Sequence, residues 1–188
     1  MSLSETVIPR HRLTVDEYYR MAEAGILAPD ARVELIEGEI VDMTPVGSRH
    51  VSVVNRLNRM LTVAVGELAI VQVQGPVRLG DRSEPEPDLA LLRPRADFYR
   101  DKHPTPEDVL LIIEVSDTPV AYDRSVKIPL YARHGVLEVW LIDLESSRIS
   151  VHRNPHNSAY ADVLNLDRPG ITAISLLPRA VIDLAGLL

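Results

Sequence analysis

The sequence predicts a single α/β domain with a mixed central β-sheet flanked by helices, and three observations carry that expectation. Asp108-Val-Leu-Leu-Ile-Ile-Glu-Val-Ser116 is an apolar run broken only by Glu114, as in a strand covered on both faces. Val136-Leu-Glu-Val-Trp-Leu-Ile-Asp143 is a second such run. Residues 122–134 between them read as a helix stopped by Gly135, so the three segments form a βαβ unit, parallel and right-handed.

At 188 residues the chain suits one domain, with a core spanning about residues 13–152 and a C-terminal hairpin and tail over 153–188. A chain of this length buries roughly two thirds of its unfolded surface without staples. The absence of cysteine excludes thiol catalysis, zinc-thiolate sites and a disulfide framework, and fits a reducing cytosol. The start lacks a basic leader and a long apolar core, and no later apolar run approaches ~18 residues, so the expectation is a soluble cytoplasmic protein with no membrane contact. The net charge of −7 argues against a broad basic face for nonspecific nucleic-acid binding. Clustered carboxylates awaiting cations would give the same balance.

In chain order, Thr14 and Glu17 form a capping box ahead of a helix that stops at Gly25. Residues 32–43 alternate apolar and acidic side chains around Gly38, as a hairpin does, with Glu34 and Glu37 on opposite faces. Residues 48–68 turn helical, placing Val54, Leu57, Leu61, Ala64 and Leu68 on one stripe. Arg49, Ser52, Arg56 and Arg59 lie on roughly the opposite side, a stripe that is solvated or holds phosphates. His50 beside it reads first as a capping or structural histidine.

Residues 69–79 are β-rich and broken at Gly75-Pro76. In Ser83-Glu-Pro-Glu-Pro-Asp88 the alternating prolines force an extended backbone that enters the sheet from an edge, with Glu84, Glu86 and Asp88 on one face. Pro129 either kinks the crossover helix or marks its first turn. Residues 148–152 and 159–164 suggest a hairpin over Asn154-Pro155 and Asn157. The leucine-rich end, residues 182–188, is either a tail docked on its own domain or a face for a second copy, a homodimer.

Glu114 is the most informative residue, because a carboxylate in an apolar strand must be neutral, paired or metal-bound. Asp88 precedes it by 26 residues and Lys127 follows it by 13. Two carboxylates can hold a hard divalent cation, Mg²⁺ or Mn²⁺, that activates water, and an ammonium can orient that water or offset negative charge. The chemistry this suits is phosphodiester hydrolysis. The plainer reading makes Asp88 a turn cap, Glu114 half of an ion pair with Lys127 or Arg124, and Lys127 a surface lysine. It also makes Tyr131 and Trp140 core residues, and Tyr122, Asp123 and Arg124 residues that fix the helix start.

Pro87-Asp88 followed by the strand ending Glu114-Val-Ser116 resembles the PD-(D/E)xK nuclease superfamily. The fragments 33–39, 87–92 and 113–116, then Tyr122-Asp-Arg124 with Lys127 and Tyr131, then 136–143, resemble in order and spacing the Uma-two family of restriction endonucleases. The resemblance covers about residues 13–152 and implies a restriction-endonuclease-like fold, metal ligands at Asp88 and Glu114, and nucleic acid, DNA above all, as substrate. It departs from the superfamily at Ser116, where the lysine usually stands, and implies that Lys127 takes over that role. It also raises Glu34 to a third carboxylate at the metal, while Arg49, Arg56 and Arg59 become candidate phosphate contacts. Two alternatives stay open: a binding or assembly module that has lost chemistry, and a phosphodiesterase for a substrate other than DNA.

Overall fold

The computed structural model describes residues 10–117, 122–166 and 168–188. Helix α1, Val15–Glu23, starts where the capping box puts it: the Thr14 hydroxyl accepts from the Glu17 amide, and the Glu17 carboxylate accepts from the Thr14 amide. Strands β1, Val33–Ile36, and β2, Glu39–Asp42, form the expected hairpin. Its two turn residues, Glu37 at φ 49° and Gly38 at φ 79°, are both left-handed, as a two-residue turn between twisted strands requires. A Cβ on Gly38 would also lie 2.7 Å from that of Arg12.

Helix α2, Ser48–Val65, buries His50, Val53, Val54, Leu57, Leu61 and Val65. It ends earlier than the apolar spacing predicts, because Gly66 turns left-handed and a 3₁₀ turn, Gly66–Leu68, follows. Leu68 therefore leaves the stripe and is exposed.

The six-stranded sheet runs β3 (Ile70–Val73), β4 (Leu89–Leu92), β5 (Val109–Ser116), β6 (Glu138–Asp143), β7 (Arg148–His156) and β8 (Ala159–Leu166). Strands β5 and β6 are parallel and every other neighbouring pair is antiparallel, which makes the sheet mixed as expected. One expectation shifts: β3 occupies the edge, so the Pro-Glu-Pro segment leads into a strand one place inside it. Both prolines lie ahead of the paired residues, so their missing N–H groups cost the ladder nothing.

The sequence also suggests that the chain turns after Ser116-Asp-Thr-Pro119, and residues 118–121 lie outside the described residues. The crossover then begins as a π-helical turn, Asp123–Lys127, which runs into α3, Ile128–Arg133. The Ile128 amide reaches back five residues to the Asp123 carbonyl, and Pro129 takes the first turn of α3.

Leu111, Ile113 and Val115 of β5 pack toward α2, whereas Ile112 packs toward Ile128, Leu130 and Tyr131 of the crossover. Glu114 has the parity of Ile112 and so projects toward the crossover. Strands β9, Ile171–Ile174, and β10, Leu177–Asp183, form a hairpin against α2. The tail beyond it buries Leu184 and Leu187 in the core under α2, and Arg56 bonds the carbonyls of Gly186 (2.6 Å) and Leu187 (3.2 Å). The docked tail accounts for these leucines without a second copy.

Glu138 staples this hairpin to the sheet. Fully buried, it accepts from Trp140 Nε1 (2.7 Å), Arg153 (2.8 Å) and the Ser175 amide (2.7 Å). Glu138→Ala leaves those donors without their acceptor, and we expect it to lower the unfolding free energy by about 2–4 kcal/mol, read as the urea midpoint. An unchanged midpoint would remove Glu138 from this role.

Candidate active site

The β4–β5 ladder sets the geometry. Leu89 pairs with Ile113, so Asp88, one residue before the first, and Glu114, one after the second, stand level at the end of the ladder. The Val115 amide donates to Asp88 Oδ2 (2.8 Å). Beside them opens a cavity of about 310 Å³, lined by Glu34, Glu86, Asp88, Glu114, Asp117, Asp123 and Lys127 among others.

The structure thus brings together Asp88, Glu114 and Lys127, which the sequence spaces over 40 residues. The π-turn directs Lys127 inward, where it is buried with Nζ 3.1 Å from Glu34 Oε2 and 3.3 Å from Glu114 Oε1. The surface-lysine reading is excluded. Glu34 of β1 faces the cavity, and Glu37, in the turn that follows the strand, faces out and pairs with Arg133.

Arg49, Arg56 and Arg59 lie outside the cavity on the exposed face of α2. Arg56 and Arg59 flank a shallow hollow that shares Val46 with the cavity rim, and Arg56 is also engaged by the tail.

Several residues at the site carried no functional expectation. His50, buried in the first turn of α2, has Nε2 3.0 Å from Asp88 Oδ1. Tyr131 belongs to the core as expected, but its hydroxyl donates to Glu114 Oε1 (2.6 Å). Tyr122 and Asp123 line the cavity, and Ser116, in the superfamily's lysine position, donates to Asp123 Oδ2 (2.7 Å). One signal for His50 was present: it falls four and seven residues before Val54 and Leu57, on the buried stripe of α2. A histidine on such a stripe needs a polar partner there.

Seven carboxylates, Glu34, Asp42, Glu86, Asp88, Glu114, Asp117 and Asp123, line the cavity together with the basic Lys127, Arg32 and His50. Burial pushes the Glu114 carboxyl up to about 8, against the pull of Lys127 and with help from Asp123 and Asp88. Burial likewise raises Asp123, opposed by Lys127 and Ser116, and raises Glu86 with help from Glu34. For Lys127 burial works to lower the ammonium, but Glu114, Glu34 and Asp123 outweigh it and hold it protonated. His50 is raised on balance, its burial outweighed by the bond to Asp88 and that group's charge.

This surplus of oxygen anions suits a hard divalent cation. Among the described residues no three His, Cys, Asp or Glu side chains converge to hold an ion. Glu34, the third carboxylate that the resemblance adds to the metal, instead engages Lys127 and the Glu86 amide (3.2 Å). Asp88 and Glu114 remain as a two-carboxylate platform, which fits Mg²⁺ or Mn²⁺ because such ions keep several waters or substrate oxygens in their shell.

The Uma2 family, described as "Putative restriction endonuclease", matches residues 15–185. A crystal structure of a "putative nuclease belonging to DUF820" from Anabaena variabilis is similar at a TM-score of 0.64 and 18% identity, over 89% of this chain and 91% of that one. At that identity the likeness shows the fold. No curated protein matches the chain.

Glu114 sets a pH dependence of stability. Its folded value lies above the ordinary 4.5, so the stability that its proton contributes is complete below 4.5 and is lost as pH rises through about 8. Glutamine in its place has no such loss. The melting temperature of Glu114→Gln should therefore gain on the wild type between about pH 5 and 8, with the free-energy gap growing by on the order of 1 kcal/mol per pH unit and levelling off above that window. A gap that stays constant with pH would show that Glu114 does not titrate as its burial requires.

Proposed function

The chain belongs to the Uma2 family, "Putative restriction endonuclease", and we propose that it is a nuclease that hydrolyses phosphodiester bonds, DNA first, with a divalent cation, Mg²⁺ or Mn²⁺. The observation that carries this reading is the meeting of Asp88, Glu114 and Lys127 in one acidic cavity, with Lys127 Nζ 3.3 Å from Glu114 Oε1.

In this reading Asp88 and Glu114 hold the ion. The chemistry an ion supplies there is a more acidic water and a counter-charge for the phosphate. The chain's own residues do the rest. His50 and the Val115 amide each bond one oxygen of Asp88 and so fix the plane of its carboxylate. Tyr131 does the same for Glu114. Lys127 is protonated and donor-only, so it orients the attacking water or offsets charge on the phosphate oxygens rather than abstracting a proton. Arg49 and Arg59, with Arg56 where the tail leaves it donors, offer phosphate contacts along α2 beside the rim.

We place the activity in one domain spanning residues 1–188, with the cytoplasm as its compartment on the strength of the cysteine-free sequence. Among the described residues no helix is long and apolar enough to cross a membrane. A homodimer would present one cavity to each strand of a duplex, and the mass in solution decides whether it forms.

Two expected outcomes test the reading. Mn²⁺ should raise the melting temperature of the wild type, by the free energy that a ligand selective for the folded state contributes, but not that of Asp88→Ala or Glu114→Ala. Lys127→Ala should fold and bind Mn²⁺ no more weakly than the wild type, yet lose about 100-fold or more in cleavage. Plasmid, single-stranded DNA, RNA and a small chromogenic diester, compared side by side, identify the substrate class. Wild-type cleavage by the lysine variant would remove Lys127 from the mechanism.

A further inference from the structure

We propose that Glu34 is a positioning residue for Lys127, keeping the ammonium in the cavity through a carboxylate that the metal does not use. This rests on the nuclease reading for the task Lys127 performs, but not for how it is held. Three observations carry it.

Glu34 is itself fixed. It is 3% exposed on β1, and its Oε2 accepts the Glu86 amide at 3.2 Å. The Glu84 amide donates to the Leu35 carbonyl (2.8 Å), pinning β1 to the segment that ends at Asp88. The same Oε2 lies 3.1 Å from Lys127 Nζ, slightly nearer than Glu114 Oε1 at 3.3 Å.

Glu114 cannot hold the lysine alone once it binds an ion. Its Oε1 already serves both Lys127 and the Tyr131 hydroxyl. A divalent cation on that carboxylate draws on the charge that retains the ammonium and repels the ammonium directly. A lysine on four flexible carbons would then leave for solvent unless a second anion held it. Glu34 stands at that place, and it does not converge with Asp88 and Glu114 on an ion.

The lysine also needs aiming because of where it starts. A lysine at position 116 would be oriented by the sheet, but Lys127 projects from a π-turn of the crossover. It reaches the carboxylates only through its side chain, so a fixed anion must set its end point.

The test uses ¹⁵N-labelled protein with Mg²⁺. A buried, ion-paired ammonium exchanges slowly enough to give a side-chain resonance, assigned to Lys127 by its loss in Lys127→Met. We expect Glu34→Gln to lose that resonance and to keep Mn²⁺ affinity within about tenfold of wild type, whereas Asp88→Ala loses Mn²⁺ binding. In cleavage, Glu34→Gln should lower kcat by roughly 10- to 100-fold with little change in KM, the mark of an interaction made in the transition state. A resonance that persists in Glu34→Gln, or an Mn²⁺ affinity that falls as far as in Asp88→Ala, overturns the proposal, the latter by making Glu34 a ligand. Should the glutamine variant not fold, Glu34→Asp retains the charge but draws it back, and wild-type resonance and kcat in that variant overturn the proposal equally. If the wild type cleaves nothing, the nuclease reading fails alone, because the resonance and the Mn²⁺ affinity still decide the role of Glu34.

Discussion

Glu114 is an acid almost wholly buried at the edge of a cavity, near the end of a strand buried along its whole length. Most of the surrounding arrangement follows from that constraint. An isolated carboxylate in such a place would stay protonated, and a protonated acid holds a metal poorly. Lys127, the Tyr131 hydroxyl and the cavity mouth are what make the ionised form accessible there. None of the three is local in sequence, since one comes from the π-turn, one from α3, and the cavity is walled by residues of β1, β2, α2 and the crossover. The fold holds together groups that repel water's absence and, in the case of the carboxylates, one another.

The parts of this arrangement legible in the sequence are those governed by short periods. A capping box, a left-handed glycine in a two-residue turn and the alternation of a strand are fixed within a few residues, so α1, the β1–β2 hairpin and β5 could be placed from the residues alone. Asp88 and Glu114 were legible for a related reason. Asp88 stands at the head of an apolar run and Glu114 interrupts one, while the antiparallel pairing that brings the two level is seen only in the structure. Glu34 and Glu37 do face opposite ways as alternation suggests, but β1 ends at Ile36 and it is the left-handed turn that sends Glu37 outward.

What the residues did not disclose depends on partners far along the chain. His50 meets Asp88 across 38 positions, and Glu138 meets Ser175 across 37. The role of Glu34 turned on the same problem. Resemblance could rank it as a third acid at the metal, but its 3.1 Å contact with the Lys127 ammonium is set by ångströms that spacing does not encode. The early end of α2 was a local failure, because the apolar period continues to Leu68 while Gly66 breaks the helix beneath it. Pro129 was ambiguous because two conformations satisfy a missing N–H, and only the π-turn shows which the chain adopts.

That π-turn also sets how the crossover tolerates insertions and deletions. It holds one more residue than an α-helical turn would between Asp123 and Ile128. Excising a single position within 124–126 would let the segment relax to ordinary helical winding while α3 stayed anchored by Ile128, Leu130 and Tyr131. The bond from the Ile128 amide to the Asp123 carbonyl would then span four residues, as in an α-helix, so Asp123 would keep its place beside Ser116 and Tyr122 its place in the cavity wall. Losing one residue inside this segment therefore leaves the wall in phase, whereas the same loss within the α-helical turns of α3 would shift the wall by about 100° against the strands it faces.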